Sequence, residues 1–518
     1  MTTSPPGAAS DKLGRDVFIV AGVVVLGAIM SILDVTVVAV AQPTFITEFD
    51  TSAAGAAWSM TGYTLALAAV IPAASWAASR FGTKRVYMAS LVLFLIGSVL
   101  CAMAWNIGSL VAFRVIQGFG GGLLMPIGMM IMTRAAGPER VGSVMAVLGI
   151  PMLLGPIMGP ILGGWLIEIA SWHWVFLINI PFGVVALVYA FYALPSGDEE
   201  PGKKIDVIGL LMLSPGLALF LFGVSSSAEE QTFLAVRVLV PMIIGALLII
   251  AFIWHAFRTT NPLLDLRLFR NPTLRTAVIT MSMFAIAFFG ASLLYPQYFI
   301  IVRGETTLMA GLLLAPQGIG AMLTMPIAGK MTDKIGPGKF VLAGLVLIAI
   351  GVSAFITLDT DTSYWFLCAA LFVQGLGMGM TMMPIMSASL ATLRGSEIPD
   401  GSTLMNAIQQ TASSIGTAVI TVIFTTMLLP LSRAIMQAGG DPERVGKAMA
   451  ENGVDVTNPQ AVQAAGGDVI SDIASTYGNT FIIATVLVAL TVIPAFFLPR
   501  KKMVVAGDDE NSVPVTMH

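Results

Sequence analysis

Asp34 and Arg114 are the side chains hardest to reconcile with their neighbours, because each lies inside a run of apolar residues long enough to cross a bilayer. An ionised carboxylate or guanidinium there costs several kcal/mol unless it is paired or wetted. Counted along ideal helices at about 1.5 Å per residue, Asp34 comes about 6 Å below the outer face of a hydrocarbon core about 30 Å thick. Arg114 comes about 9 Å down and Tyr63 about 10 Å. A carboxylate that alternately pairs with a guanidinium and takes a proton is a simple coupling device. A permanent structural ion pair is the plainer reading of the same placement. Glu168, near the outer end of a later run, reads equally as a solvated helix end or as a second proton site.

Other chemistries find no support. There are 3 His and 2 Cys; Cys101 and Cys368 both sit in apolar runs without metal-ligand or disulfide spacing. Neither a phosphate-cradling P-loop nor a His-Glu-x-x-His motif occurs. We therefore expect no catalytic residue, no metal and no cofactor. A net charge of -3 identifies no nucleic-acid partner.

The elements that position these groups follow from solvation. Of 518 residues 56% are hydrophobic and 11% charged, against roughly 25% charged in soluble domains, and the mean hydropathy is +0.88. Only membrane lipid solvates so apolar a surface, and lipid leaves backbone groups no partner outside their own helix. Apolar runs of about 20 residues begin near Phe18, Ala56, Val86, Gly108, Val141, Trp174, Ile205, Leu239, Ala277, Thr307, Phe340, Tyr364, Leu404 and Phe481. Most of the 26 basic residues fall in alternate connections, among them Arg15, Arg80, Arg134, Lys334 and Lys501. Such residues stay on the cytoplasmic side, which predicts an even number of spans with both termini cytoplasmic. Ala39-Val40-Ala41 imitates a signal cleavage site, but the apolar run before it is too long for a signal peptide, so the first span stays.

The chain reads as a duplication. Gln117-Gly118-Phe119-Gly120-Gly121-Gly122 recurs as Gln374-Gly375-Leu376-Gly377-Met378-Gly379. Ser79-Arg80-Phe81-Gly82 has its echo in Asp333-Lys334-Ile335-Gly336 at nearly the same offset. We expect an N-terminal six-helix bundle over residues 1–204, two linker helices over 205–257, and a C-terminal six-helix bundle over 258–518. The last contains an external loop near 431–477, where short surface helices fit, and a cytoplasmic tail.

Several stretches resemble the major facilitator superfamily, in particular its fourteen-span drug:proton antiporter branch (QacA/EmrB-like). Leu33-Asp34-Val35-Thr36 through Pro43 is similar to that branch's first-span signature, departing from it at Ala39 and Gln42. Arg114-Val115-Ile116-Gln117-Gly118 matches in the fourth span. The run Gly155 to Gly164, with Gly159, Pro160 and Gly163 between, looks like the antiporter motif of the fifth, in which small residues let helices approach closely. Ordinary close packing explains the same glycines. Trp172 to Pro181 and Pro262 to Phe269 also look like branch signatures. One departure matters: the superfamily's cytoplasmic loop carries Asp where this chain has Ser79, while Asp333 supplies that acid in the second half. The gating loops are then expected to rely on Arg80, Gly82, Asp333 and Gly336.

The resemblance implies an all-α membrane protein of two six-helix bundles of the major facilitator type plus two central linker helices. It implies a plasma-membrane antiporter in which protons drive export of hydrophobic small-molecule substrates, cationic ones among them, in the manner of multidrug efflux. Asp34 and Arg114 would couple to protons, and Tyr63 and Gln117 are candidates for the substrate cavity. A dedicated exporter of one endogenous metabolite, lipid or siderophore is the alternative. A periplasmic adaptor is an expected partner if the host has an outer membrane.

Overall fold

The computed structural model describes residues 15–137, 140–195, 204–438 and 442–501; most of the expected cytoplasmic N-terminal segment and tail lie outside these. The described residues are helical, without strands. The first half comprises α1 (Arg15–Glu48), α2 (Ala53–Val70), α3 (Ala74–Phe81), α4 (Thr83–Ala102), α5 (Ile107–Ala136), α6 (Val141–Ile169), α7 (Trp174–Leu177) and α8 (Asn179–Ala193). Two central helices follow, α9 (Val207–Glu230) and α10 (Val236–Arg258). The second half comprises α11 (Pro272–Ser292), α12 (Leu294–Ile301), α13 (Thr307–Ile335), α14 (Gly338–Ser353), α15 (Tyr364–Leu390) and α16 (Ile398–Met427). It closes with α17 (Pro430–Ala438), α18 (Pro442–Glu451) and α19 (Pro459–Ala495).

Among the described residues 13 helical segments are long and apolar enough to cross a membrane. The helix α6 is 29 residues long, with Glu168 as its one acidic residue. Helix starts follow local chemistry. Asn106 and Ser109 form a capping box ahead of α5, and Ser52, Asn271, Thr306 and Asn458 each accept a backbone N–H in the first turn they precede. Prolines set the interruptions: Pro72 lies in the 3₁₀ turn between α2 and α3, and Pro296 sits just past the break between α11 and α12. The final helix starts at Pro459, well before the apolar run near Phe481, so part of the expected external loop is helical. Its alanines are strong helix formers, and apolarity alone does not register them.

The repeated glycines explain why the two halves pack alike. On α5, a Cβ at Gly118 would meet the carbonyl of Tyr63 on α2, and one at Gly120 the backbone of Phe94 on α4. On α15, Gly375 stands against the backbone of Gln317 on α13 and Gly377 against Gly344 on α14. Each central helix thus touches two neighbours at backbone distance, with the same spacing in both halves. Gly97 lies against Gln117 and Gly351 against Gln374 in the same relation.

The two added helices form a hairpin packed backbone to backbone, Gly223 against Met242 and Gly245 against Gly216. Leu213 and Leu217 of α9 share an apolar cluster with Ile71 of the first half and with Leu404 and Ala407 of α16. Asp206 pins the hairpin's end. It accepts from the Gly209 amide at 2.8 Å, the Leu263 amide at 3.2 Å and His255 Nε2 at 2.9 Å.

Candidate functional site

The buried charges meet. Asp34 on α1 and Arg114 on α5 are 1% and 0% exposed, and Arg114 Nη1 donates to Asp34 Oδ2 at 2.5 Å. The other carboxylate oxygen accepts from Gln117 Nε2 at 2.7 Å and from Asn179 Nδ2, on α8, at 3.0 Å. Gln117 turns its amide oxygen to Arg114 Nη1 at 2.6 Å, and Arg114 Nε donates to the Ser59 carbonyl at 3.0 Å. Ser98 Oγ accepts from both Gln117, at 2.8 Å, and Asn179, at 3.3 Å. Four helices, α1, α4, α5 and α8, thereby contribute side chains to one polar knot, and α2 contributes a carbonyl.

This arrangement answers the cost of burial. A buried ion pair holds only when its remaining donors and acceptors are also satisfied. Here both carboxylate oxygens are satisfied. Arg114 Nη2 finds no hydrogen-bond acceptor among the described residues, but the guanidinium carbon lies 4.1 Å from the centre of the Tyr63 ring. That face supplies cation–π stabilisation. The Tyr63 hydroxyl is in turn 3.3 Å from Ser31 Oγ, where either oxygen can donate. Asp34, Arg114, Tyr63 and Gln117 therefore form one cluster. Sequence reasoning missed Ser98 and Asn179; an isolated serine within an apolar run and the Asn of the Trp172–Pro181 stretch were the available signals.

Three antiporter-motif glycines pack on the helix that carries the carboxylate. A Cβ at Gly155 would meet Ile32, one at Gly159 Thr36, and one at Gly163 the Val37 carbonyl at 3.2 Å. These α1 residues bracket Asp34. Gly164 differs, with open space where its Cβ would stand, and the Pro160 side chain lies outside the described residues. Glu168 is exposed in the last turn of α6, whereas the Asp34 cluster is buried.

At the end of the molecule that bears Arg15, Arg80 and Lys501, the halves are joined. Asp333 on α13 accepts from the Gly142 amide at 2.7 Å, the Ser143 amide at 2.9 Å and Ser143 Oγ at 2.7 Å. It thus satisfies free amides in the first turn of α6, where a negative charge also meets the positive helix end. A Cβ on Gly142 would stand 2.6 Å from the Gly329 carbonyl, so the two helices touch at backbone distance. Ser75 Oγ donates to Asp400 in the first turn of α16, and Asn406 Nδ2 lies 3.0 Å from Met129 Sδ. Gly82 and Gly336 end α3 and α13 with φ of 82° and 86°, a left-handed turn that glycine alone enters without strain. Arg80 occupies the last turn of α3.

Comparison with known proteins agrees with this architecture. A family model described as the Major Facilitator Superfamily matches residues 24–419. The chain is 46% identical over 509 residues to a multidrug resistance protein B homolog of Mycobacterium tuberculosis, covering 95% of this chain and 92% of that protein. It is 28% identical to the multidrug export protein EmrB of Haemophilus influenzae, covering 77% and 79%. Among solved structures, the human organic anion transporter MFSD10 aligns with a TM-score of 0.59 at 14% identity, covering 92% of this chain and 100% of that one. The proton:xylose symporter XylE aligns with a TM-score of 0.56 at 16% identity, covering 93% and 97%. Those two share the fold. With two related helical halves, a buried ion pair in the first and a family match across most of its length, this chain belongs to the Major Facilitator Superfamily of membrane transporters.

Proposed function

We propose that this protein is a proton-driven exporter of hydrophobic small molecules, of the multidrug type, with Asp34 as the proton-accepting group. The observation that carries this reading is the buried Asp34–Arg114 pair, tied to Gln117, Asn179 and Ser98. Its relatives named for multidrug resistance and export support the substrate class. The end rich in Arg and Lys faces the cytoplasm, so the halves here are closed on that side.

The coupling step follows from charge balance. While Asp34 is ionised, it and Arg114 cancel, and the cluster holds α1, α5 and α8 together. A proton arriving from outside neutralises the carboxylate and leaves the guanidinium as a buried net charge, held by the Gln117 oxygen, the Ser59 carbonyl and the Tyr63 ring. An unbalanced charge in a low-dielectric interior is costly, and a repacking of α1 against α5 relieves it. Return of the proton on the inner side restores the pair. A lipophilic substrate rides the opposite way between the halves; Tyr63 and Gln117, both fully buried in this form, would meet it only after that repacking.

Purified protein in vesicles with an imposed pH gradient tests this. A lipophilic dye should move against its gradient and release protons in proportion, and Asp34→Asn should abolish that movement. Proton-independent dye movement in the parent protein would reject the coupling. Screening cationic, neutral and anionic compounds in the same vesicles then fixes the breadth of substrates.

A further inference from the structure

Two polar clasps join the halves at the basic end, and in both the acid belongs to the second half. In one, Asp333 belongs to α13 and reaches across to the first turn of α6. In the other, the acid stands on the helix being held: Asp400, in the first turn of α16, accepts from Ser75 of α3. The two partners are 325 residues apart in sequence and part-buried, so the bond spans the two halves. Ser79, the position of the absent acid in the first half, is a buried serine one turn along the same short helix.

A carboxylate is stabilised near a helix N-terminus whether it is borne by that helix or by a neighbour, since the amide groups and dipole are the same. Moving the acid from α3 onto α16 therefore keeps a negative charge at the start of α16. What changes is the direction of the link: α3 now donates a hydroxyl instead of accepting. We propose that Asp400 is the acid of the first-half clasp, and that with Ser75 it holds the basic end closed, as a positioning pair for the transport cycle. The inference rests on the exporter reading given above, taken to work by alternating access, in which the two ends of the molecule open in turn.

The test reads the opening of the basic end directly. A nitroxide-bearing amino acid is placed at Ala135 and at Ser396, exposed positions on the two halves at that end, and the distance between them is measured by pulsed electron resonance. Ser75→Ala and Asp400→Ala should each raise the ratio of open to closed forms by about tenfold, the size of one charge-assisted hydrogen bond. Combined, they should do little more than Asp400→Ala alone, since that change already removes the Ser75 link. Asp333→Ala should add its own shift to either. Ser79→Asp placed in the Asp400→Ala chain should recover part of the closed form, because the acid returns to the α16 start from the other side. Asp400→Asn, which keeps an acceptor oxygen, should fall between the parent and Asp400→Ala and so separates loss of the clasp from failure to fold.

Independent, additive effects of Ser75→Ala and Asp400→Ala would overturn the pairing, as would unchanged distances in both while Asp333→Ala still opens the end. Distances that respond neither to Asp333→Ala nor to a pH gradient would instead remove the alternating-access reading, and the clasp with it.

Discussion

At the scale of single residues, the carboxylate of Asp34 is held by three donors from two other helices, so each donor can be removed separately. Asp34→Asn preserves shape and removes the titrating charge. Export driven by a pH gradient should fall at least about tenfold in vesicles, while equilibrium binding of a neutral lipophilic compound changes little. Arg114→Ala removes the charged partner of Asp34, and Asn179→Leu removes one hydrogen bond to it. Initial rates of export driven by a pH gradient should fall in each, further for Arg114→Ala. Breaking a buried pair from one side also costs about 3–5 kcal/mol of stability, so Arg114→Ala should lower the thermal midpoint more than Asn179→Leu.

At the scale of helices, α6 sets the position of α1 through glycines that leave no room for side chains. Overpacking costs about 1–3 kcal/mol. Gly159→Leu, aimed into Thr36 two residues beyond Asp34, should therefore reduce thermal stability and export together. Gly164→Leu points into open space and should cost clearly less. Equal losses in detergent melting curves would place the α1 contact elsewhere on α6. The same logic explains the Gln-Gly repeat of α5 and α15. Its glycines are contact points for α2, α4, α13 and α14, and its leading Gln in the first half bonds to both Asp34 and Arg114.

At the scale of the whole molecule, the halves are joined where Asp333 covers the start of α6. Asp333→Ala removes three hydrogen bonds and a charge at a helix end. The basic end should open more readily, and export should fall several-fold, measured as dye efflux from cells matched for protein abundance. An undiminished rate would mean that the clasp is not part of the cycle. The α9–α10 hairpin touches both halves through Leu213 and Leu217, so it is a lateral wall as well as a link in the chain.

Much of this was legible before any coordinates. Membrane topology follows from apolar run length, since lipid admits few other ways to satisfy a backbone. Asp34 and Arg114 stood out because charge in such a run demands a reason, and their helical depths agreed. The left-handed turns at Gly82 and Gly336 were visible as a repeated loop. The partners that complete the site were not. Ser98, Asn179 and the Ser59 carbonyl are ordinary groups whose role depends on which faces of α4, α8 and α2 turn towards α5. Nor does the chain order announce that Ser75 meets Asp400 or that Asp333 meets Ser143, because these contacts join segments hundreds of residues apart. Local sequence determines what each helix can bury; only the packing of the two halves decides which polar groups share a buried space, because hydrogen bonds are short and directional while hydrophobic patterning is neither.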